Sequence, residues 1–156
     1  MRIPVLATFA ALLLLACGSA SASGPEPDQV DPAITDGTAA RQFKQARQKW
    51  LKRGIRDYRI TVKRYCYCPS PRKVKITVRD GKPVRFSTRP WYGPRTVPGM
   101  FRVVGQAIKR KVARLKVKYH PKRGFAKRVS IDYIAMAVDD EISYRITAFK
   151  RLKPRS

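Results

Sequence analysis

"DYRITVKRYCYC", Asp57 to Cys68, and "KVKITVRDGKPVRF", Lys73 to Phe86, carry the pattern that decides the fold. In the first stretch Tyr58, Ile60 and Val62 alternate with Arg59, Thr61 and Lys63; in the second Val74, Ile76 and Val78 alternate with Lys73, Lys75 and Arg79. A period of two puts the apolar set on one face of a strand and the basic set on the other, as in a sheet that is wet on one side. Asp80-Gly81 is a tight-hairpin signal, and Val84 and Phe86 resume the alternation beyond it. Toward the N-terminus, Phe43, Ala46 and Trp50 recur at spacings of three and four, which predicts a helix over about Ala39–Arg53 stopped by Gly54. Toward the C-terminus, Thr96 reads as an N-cap with Pro98 in the first turn. Phe101, Val104, Ile108, Val112 and Leu115 then form a second amphipathic stripe, with Lys109, Arg110, Lys111 and Arg114 outside it. Strands resume at Val117 and Tyr119, at Val129, Ile131 and Tyr133, and at Ile142, Tyr144 and Ile146. The expected fold class is α+β: an antiparallel sheet of about six strands with two amphipathic helices on one face. The order of helix and three strands, twice over, is that of a duplicated α-β-β-β unit, although the two halves share little residue by residue.

The N-terminal segment speaks to location. One charge at Arg2 precedes 14 apolar residues, Ile3 to Ala16. That is short for a bilayer span, which takes about 20 residues, but suits the apolar region of a secretory signal. Leu14-Leu15-Ala16-Cys17 resembles the lipobox of bacterial lipoproteins, which implies cleavage after Ala16 and acylation of Cys17. Several acyl chains on one residue anchor firmly where a single chain is marginal. Gly18 stands where an Asp would favour inner-membrane retention, so in a host with two membranes the outer one is expected. Residues 18–37 contain Glu26, Asp28, Asp31 and Asp36 and no Lys or Arg, and read as a flexible acidic linker with a reach of roughly 25 Å. The expected division is a signal over 1–16, a lipidated N-terminus and linker over 17–37, a single basic domain over 38–151 and a basic tail over 152–156.

Charge is concentrated in that domain. From Arg41 onward lie 34 of the 35 Lys and Arg residues and six of the ten acids, a balance of +28. Such self-repulsion points to a polyanionic partner. Export removes intracellular nucleic acid from consideration and leaves anionic lipid head groups, phosphate-rich envelope polymers or extracellular nucleic acid. Arg59, Lys63, Tyr65 and Tyr67 share the wet parity of the first strand, and Lys116 and Lys118 the wet parity of a later one. Basic strand faces with interleaved aromatics can neutralise phosphates and stack rings, which makes these six the candidate anion-binding residues. The bland alternative is a surface of ordinary edge-guarding lysines. A protein–protein or envelope-assembly role with an envelope protein as partner, the charge being incidental, is the competing function.

"DYRITVKRYCYC", "VKITVRDGKPVRF", the helix opening "TVPGMF", and "VKYHPKRGFAKRVSIDYIAMAVDDEISYRITAF" together resemble the bacterial domain of unknown function 6174 family, over about Trp50 to Phe149. The resemblance implies a lipoprotein or secreted protein and brings no activity with it. Two positions depart from the family pattern: His120 stands where an Asp is usual, and Ala126-Lys127 where a Pro is usual.

The chemistry-bearing residues are few. With Cys17 lipidated, Cys66 and Cys68 remain in an oxidising compartment, where a disulfide is the leading reading. Residues i and i+2 of a regular strand are about 6.7 Å apart, so the bridge requires a bend, which Pro69 and Pro71 would supply. Its ring is too small to constrain the unfolded chain much, leaving a staple at the strand tip. Structural zinc needs four ligands, and one His with one Cys pair does not supply them. A redox role would use a thiol whose pKa is lowered by Arg64, Arg72 and Lys73. His120 reads as a turn histidine and Asp139-Asp140-Glu141 as a polar turn, since adjacent acids lack the spacing of calcium loops. Trp91-Tyr92 reads as a plug at the end of the core, with an exposed aromatic lip as the alternative. No catalytic residue, metal or cofactor is expected.

Overall fold

The computed structural model describes residues 30–67, 73–137 and 139–154. Its elements are α1 (Pro32–Thr35), α2 (Thr38–Leu51), β1 (Tyr58–Cys66), β2 (Lys73–Arg79), β3 (Lys82–Phe86), α3 (Val97–Lys109), β4 (Arg114–Tyr119), β5 (Ala126–Asp132) and β6 (Ile142–Arg151). The six strands form one sheet in the order β3-β2-β1-β6-β5-β4, every neighbouring pair antiparallel. The α+β class and the single sheet are therefore those the alternation predicts. Each half of the chain contributes a helix and a three-strand meander. The meanders are not placed symmetrically: β1, the first strand of its set, meets β6, the last of the other, at the centre.

The alternating apolar residues face the helices. Tyr58, Ile60, Val62, Val74, Ile76, Val78, Val129, Ile131, Tyr144 and Ile146 are all buried, with Met100, Phe101, Val104 and Ala107 of α3 above them. β3 and β4 are the two edges of the sheet, so α3 joins opposite edges across the helix face. Thirteen helical residues span about 20 Å, close to the width of six strands. The Val97 N–H donates to the Tyr58 hydroxyl at 2.9 Å, tying the start of α3 to β1. Burial pushes the pKa of that phenol up to about 12, so it stays neutral and able to accept. Thr96 caps the helix through the Gly99 N–H at 2.9 Å. Asp80 and Gly81 both take positive φ, as the predicted hairpin requires.

Three boundaries differ from the sequence reading. The second helix stops at Lys109 rather than running to Leu115, because Lys111 adopts φ 52° and turns the chain into β4, where Leu115 is buried as a strand residue. Residues 152–153, read as tail, are bonded into the fold: the Leu152 N–H donates to the Asp57 carbonyl and Arg79 to the Lys153 carbonyl. At the N-terminal side, residues 31–37 are not linker. Asp31 is buried; its carboxylate accepts from the Ala33 N–H at 2.8 Å and from the Leu115 N–H at 2.7 Å, while its own N–H donates to Val112. Asp36 accepts from the Thr38 N–H at 2.7 Å at the start of α2, and that bond lowers its pKa. Of the four acids of that segment, Asp31 caps α1 and Asp36 binds the first N–H of α2, while Glu26 and Asp28 lie outside the described residues. The signal segment, Cys17 and the linker up to residue 29 lie outside the described residues.

Candidate anion-binding face

The face of the sheet turned away from the helices is set by strand register. Lys73 stands opposite Lys63, Lys63 opposite Arg145, Arg145 opposite Arg128, and Arg128 opposite Lys118. These five residues form one continuous cationic row perpendicular to β2, β1, β6, β5 and β4. At about 4.8 Å per strand the row extends roughly 19 Å. Like charges placed directly opposite one another destabilise a sheet, so the row is a cost that the fold carries. Among the described residues the two ion pairs, Arg56–Asp80 and Arg79–Asp57, lie at the end of the sheet where β1 begins. Among those residues no carboxylate stands within ion-pair distance of any of the five.

The next row along the strands is neutral and polar. Tyr65 stands opposite Ser143, Ser143 opposite Ser130, and Ser130 opposite Lys116. The Ser143 hydroxyl donates to that of Ser130 at 2.8 Å. Lys63 Nζ lies 4.7 Å from the centre of the Tyr65 ring. Between the two rows is a concavity of about 510 Å³ lined by Tyr65, Lys116, Lys118, Arg128, Ser130, Ser143 and Arg145. The Arg145 Nε is buried there without a hydrogen-bond partner.

Four of the six residues anticipated for anion binding are thus brought together: Lys63, Tyr65, Lys116 and Lys118. Arg59 shares their face but lies at its other end, opposite Lys150, with its Nε donating to Thr77 Oγ1 at 3.3 Å. Tyr67 lies beyond the end of β1, 83% exposed, against an adjoining concavity that shares Tyr65 and Ser143 with the first and adds Ala137, Asp139 and Glu141. Arg128, Arg145 and Lys73 were missed. Their outward parity was legible beside Val129, Tyr144 and Val74, but only the pairing of the first strand with the last puts them in one row.

The remaining chemistry-bearing groups sit elsewhere. His120 begins the turn into β5; its Nδ1 accepts from the Arg123 N–H at 3.2 Å and its ring lies 4.7 Å from that of Phe125. It is half-buried rather than fully solvated. Desolvation, then Arg123 and Lys127, hold its pKa below the ordinary value, which keeps the imidazole neutral. Asp140 accepts from the Ile134 N–H at 2.7 Å and closes the loop before β6, in keeping with a polar turn. Trp91 is buried and donates to the Pro94 carbonyl at 3.2 Å, the plug expected, whereas Tyr92 is exposed. Cys66 ends β1 opposite Ile142; Cys68 lies outside the described residues. Among the described residues no helix is long and apolar enough to cross a membrane.

A family of unknown function (DUF6174) matches residues 42–151, more than half of the chain, and that span covers the last ten of the fourteen residues of α2 and every later element. The chain belongs to DUF6174. Neither a curated protein nor a solved structure matches it. Within the DUF6174 span lie all five residues of the cationic row and all those lining the concavity beside it, whereas the buried Asp31 and the whole of α1 precede it.

Proposed function

We propose that this DUF6174 protein is a non-catalytic module of the bacterial cell envelope, held outside the cytoplasm by lipid on Cys17, whose open sheet face holds anionic envelope material. The observation that carries this reading is the row Lys73–Lys63–Arg145–Arg128–Lys118, kept against its electrostatic cost and without facing acids among the described residues. Cations fixed on a rigid sheet attract phosphate-rich surfaces at long range and release counterions on binding, so affinity should fall steeply with salt.

The test is sedimentation of residues 30–156, which contain every described element, with anionic and with neutral vesicles across a salt series. Binding to anionic vesicles alone is expected, falling by about fortyfold or more between 50 and 200 mM salt for three or more neutralised phosphates. Lys63→Gln with Lys73→Gln should flatten that slope. Binding that ignores salt, or vesicles left unbound at 50 mM, would end this reading and favour a protein partner.

Cys66 and Cys68 are proposed to form the staple at the tip of β1. Alkylation of the unreduced, exported protein should leave both thiols unlabelled, and reduction should add two labels. Two labels without reduction would remove the staple.

A further inference from the structure

We infer that the concavity beside the cationic row is a binding site for a phosphorylated sugar unit, with the phosphoryl group on Arg145 and Arg128 and the sugar over Tyr65. This deepens the reading of the sheet face as an anion binder and rests on it. A diffuse basic surface needs only charge, and any Lys or Arg serves. Three features here go beyond charge. Arg145 lines the concavity with its Nε shielded from water and without a protein partner, so part of the desolvation cost of its guanidinium is already met before any ligand binds. Arg128 is its direct cross-strand neighbour and Lys118 the next, so two guanidinium groups and an ammonium stand side by side on three strands and line one concavity. That donor set suits a tetrahedral oxyanion of charge near −2, since a single carboxylate would satisfy one fork and leave the other unpaired.

The second row names the rest of the ligand. About 7 Å further along the strands, a sugar ring's distance, come Tyr65 and the Ser143–Ser130 hydroxyl pair. The two hydroxyls share one hydrogen bond, which leaves one of their two protons for an acceptor on a ligand. An aromatic ring beside hydroxyl groups fits a polyol and adds nothing for a bare ion. The concavity, about 510 Å³, holds one such unit. The same chemistry is offered by a glycan bearing a phosphate monoester and by a lipid whose head group is a polyol with a phosphate monoester.

Calorimetric titration of residues 30–156 in 150 mM salt with glucose 1-phosphate, inorganic phosphate and glucose tests the site. Saturable one-to-one binding of glucose 1-phosphate is expected, about tenfold tighter than phosphate, with none for glucose. Arg145→Lys keeps the charge but loses the fork, and should weaken glucose 1-phosphate by about tenfold while vesicle binding changes less than about twofold. Its melting temperature, equal to or above that of the parent, shows that the variant folds. Equal affinity for phosphate and glucose 1-phosphate, unsaturable binding, or an Arg145→Lys variant that binds like the parent each overturns the site. If those results come with intact salt-dependent vesicle binding, the sheet-face reading survives alone; saturable glucose 1-phosphate binding without vesicle binding retires that reading and keeps the site. Competition by vesicles carrying phosphatidylinositol 4-phosphate, or by a soluble glycan carrying a phosphate monoester, supports the site and assigns the source.

Discussion

A chain that begins at Thr38 is expected to melt roughly 10–15 °C below one that begins at Val30, although the residues removed look like tether. The physical reason is Asp31. Its side chain is 8% exposed and accepts two backbone N–H groups, one from Ala33 and one from Leu115, 84 residues away. Its own N–H donates to Val112 at 3.0 Å. Truncation strands the Leu115 N–H and the Val112 carbonyl in the stretch where α3 gives way to β4. Charge-assisted bonds are worth about 1.5–3 kcal/mol and a stranded buried donor costs about 1–3 kcal/mol, so a total near 3 kcal/mol is reasonable. For a domain of this size that is about 4 °C for each kcal/mol. Asp31→Ala in the longer chain should reproduce most of the loss, and thermal unfolding followed by circular dichroism reads both. A truncated chain that melts with the parent would show that residues 30–37 are ornament on the fold.

That result also marks where the sequence was legible. Alternation in β1, β2 and β5 and the three-and-four spacing of α3 are signatures of burial on one side, and burial follows them residue for residue at Ile60, Ile76, Val129 and Val104. What composition hides is a polar residue used structurally. Asp31 and Asp36 carry the Pro, Gly and Asp neighbours of a linker, and a cap differs from a linker acid only in what its oxygens meet. The end of α3 was missed because a stop is read from glycine, whereas here Lys111 takes the left-handed conformation. Val112 and Leu115 kept the helical spacing by coincidence with the first inward positions after the turn. The cationic row was half legible. Parity turns Lys63, Arg128 and Arg145 outward, but pairing between β1 and β6 joins residues about 80 apart, and no local pattern encodes it.

Gly124→Ala is expected to be the most damaging change of a single methyl group in the molecule, at about 3–5 kcal/mol. Gly124 sits at φ 80°, where a side chain costs about 1–2 kcal/mol on its own. A Cβ there would lie 2.3 Å from the Ala46 carbonyl oxygen and 3.0 Å from the Trp50 N, both backbone atoms of α2 that cannot swing aside. The helix itself must retreat, and Trp50 goes with it. That ring packs edge-on against Tyr58, Phe125 and Phe149 at 5.6, 6.3 and 5.9 Å, and each such pair is worth about 0.5–1.5 kcal/mol beyond its burial. Gly54 provides the control, since it has φ 57° but nothing within 4 Å of a built Cβ. Gly54→Ala should therefore show the conformational cost alone, about 1–2 kcal/mol. The difference between the two variants in urea unfolding measures the contact between α2 and the turn into β5. Equal losses would mean that α2 does not seat there. The cationic row lies on the opposite face of the sheet, so Gly124→Ala, held well below its melting temperature, should still bind glucose 1-phosphate like the parent. Binding lost together with stability would mean instead that the sheet keeps its strand register only while Trp50 is seated against it.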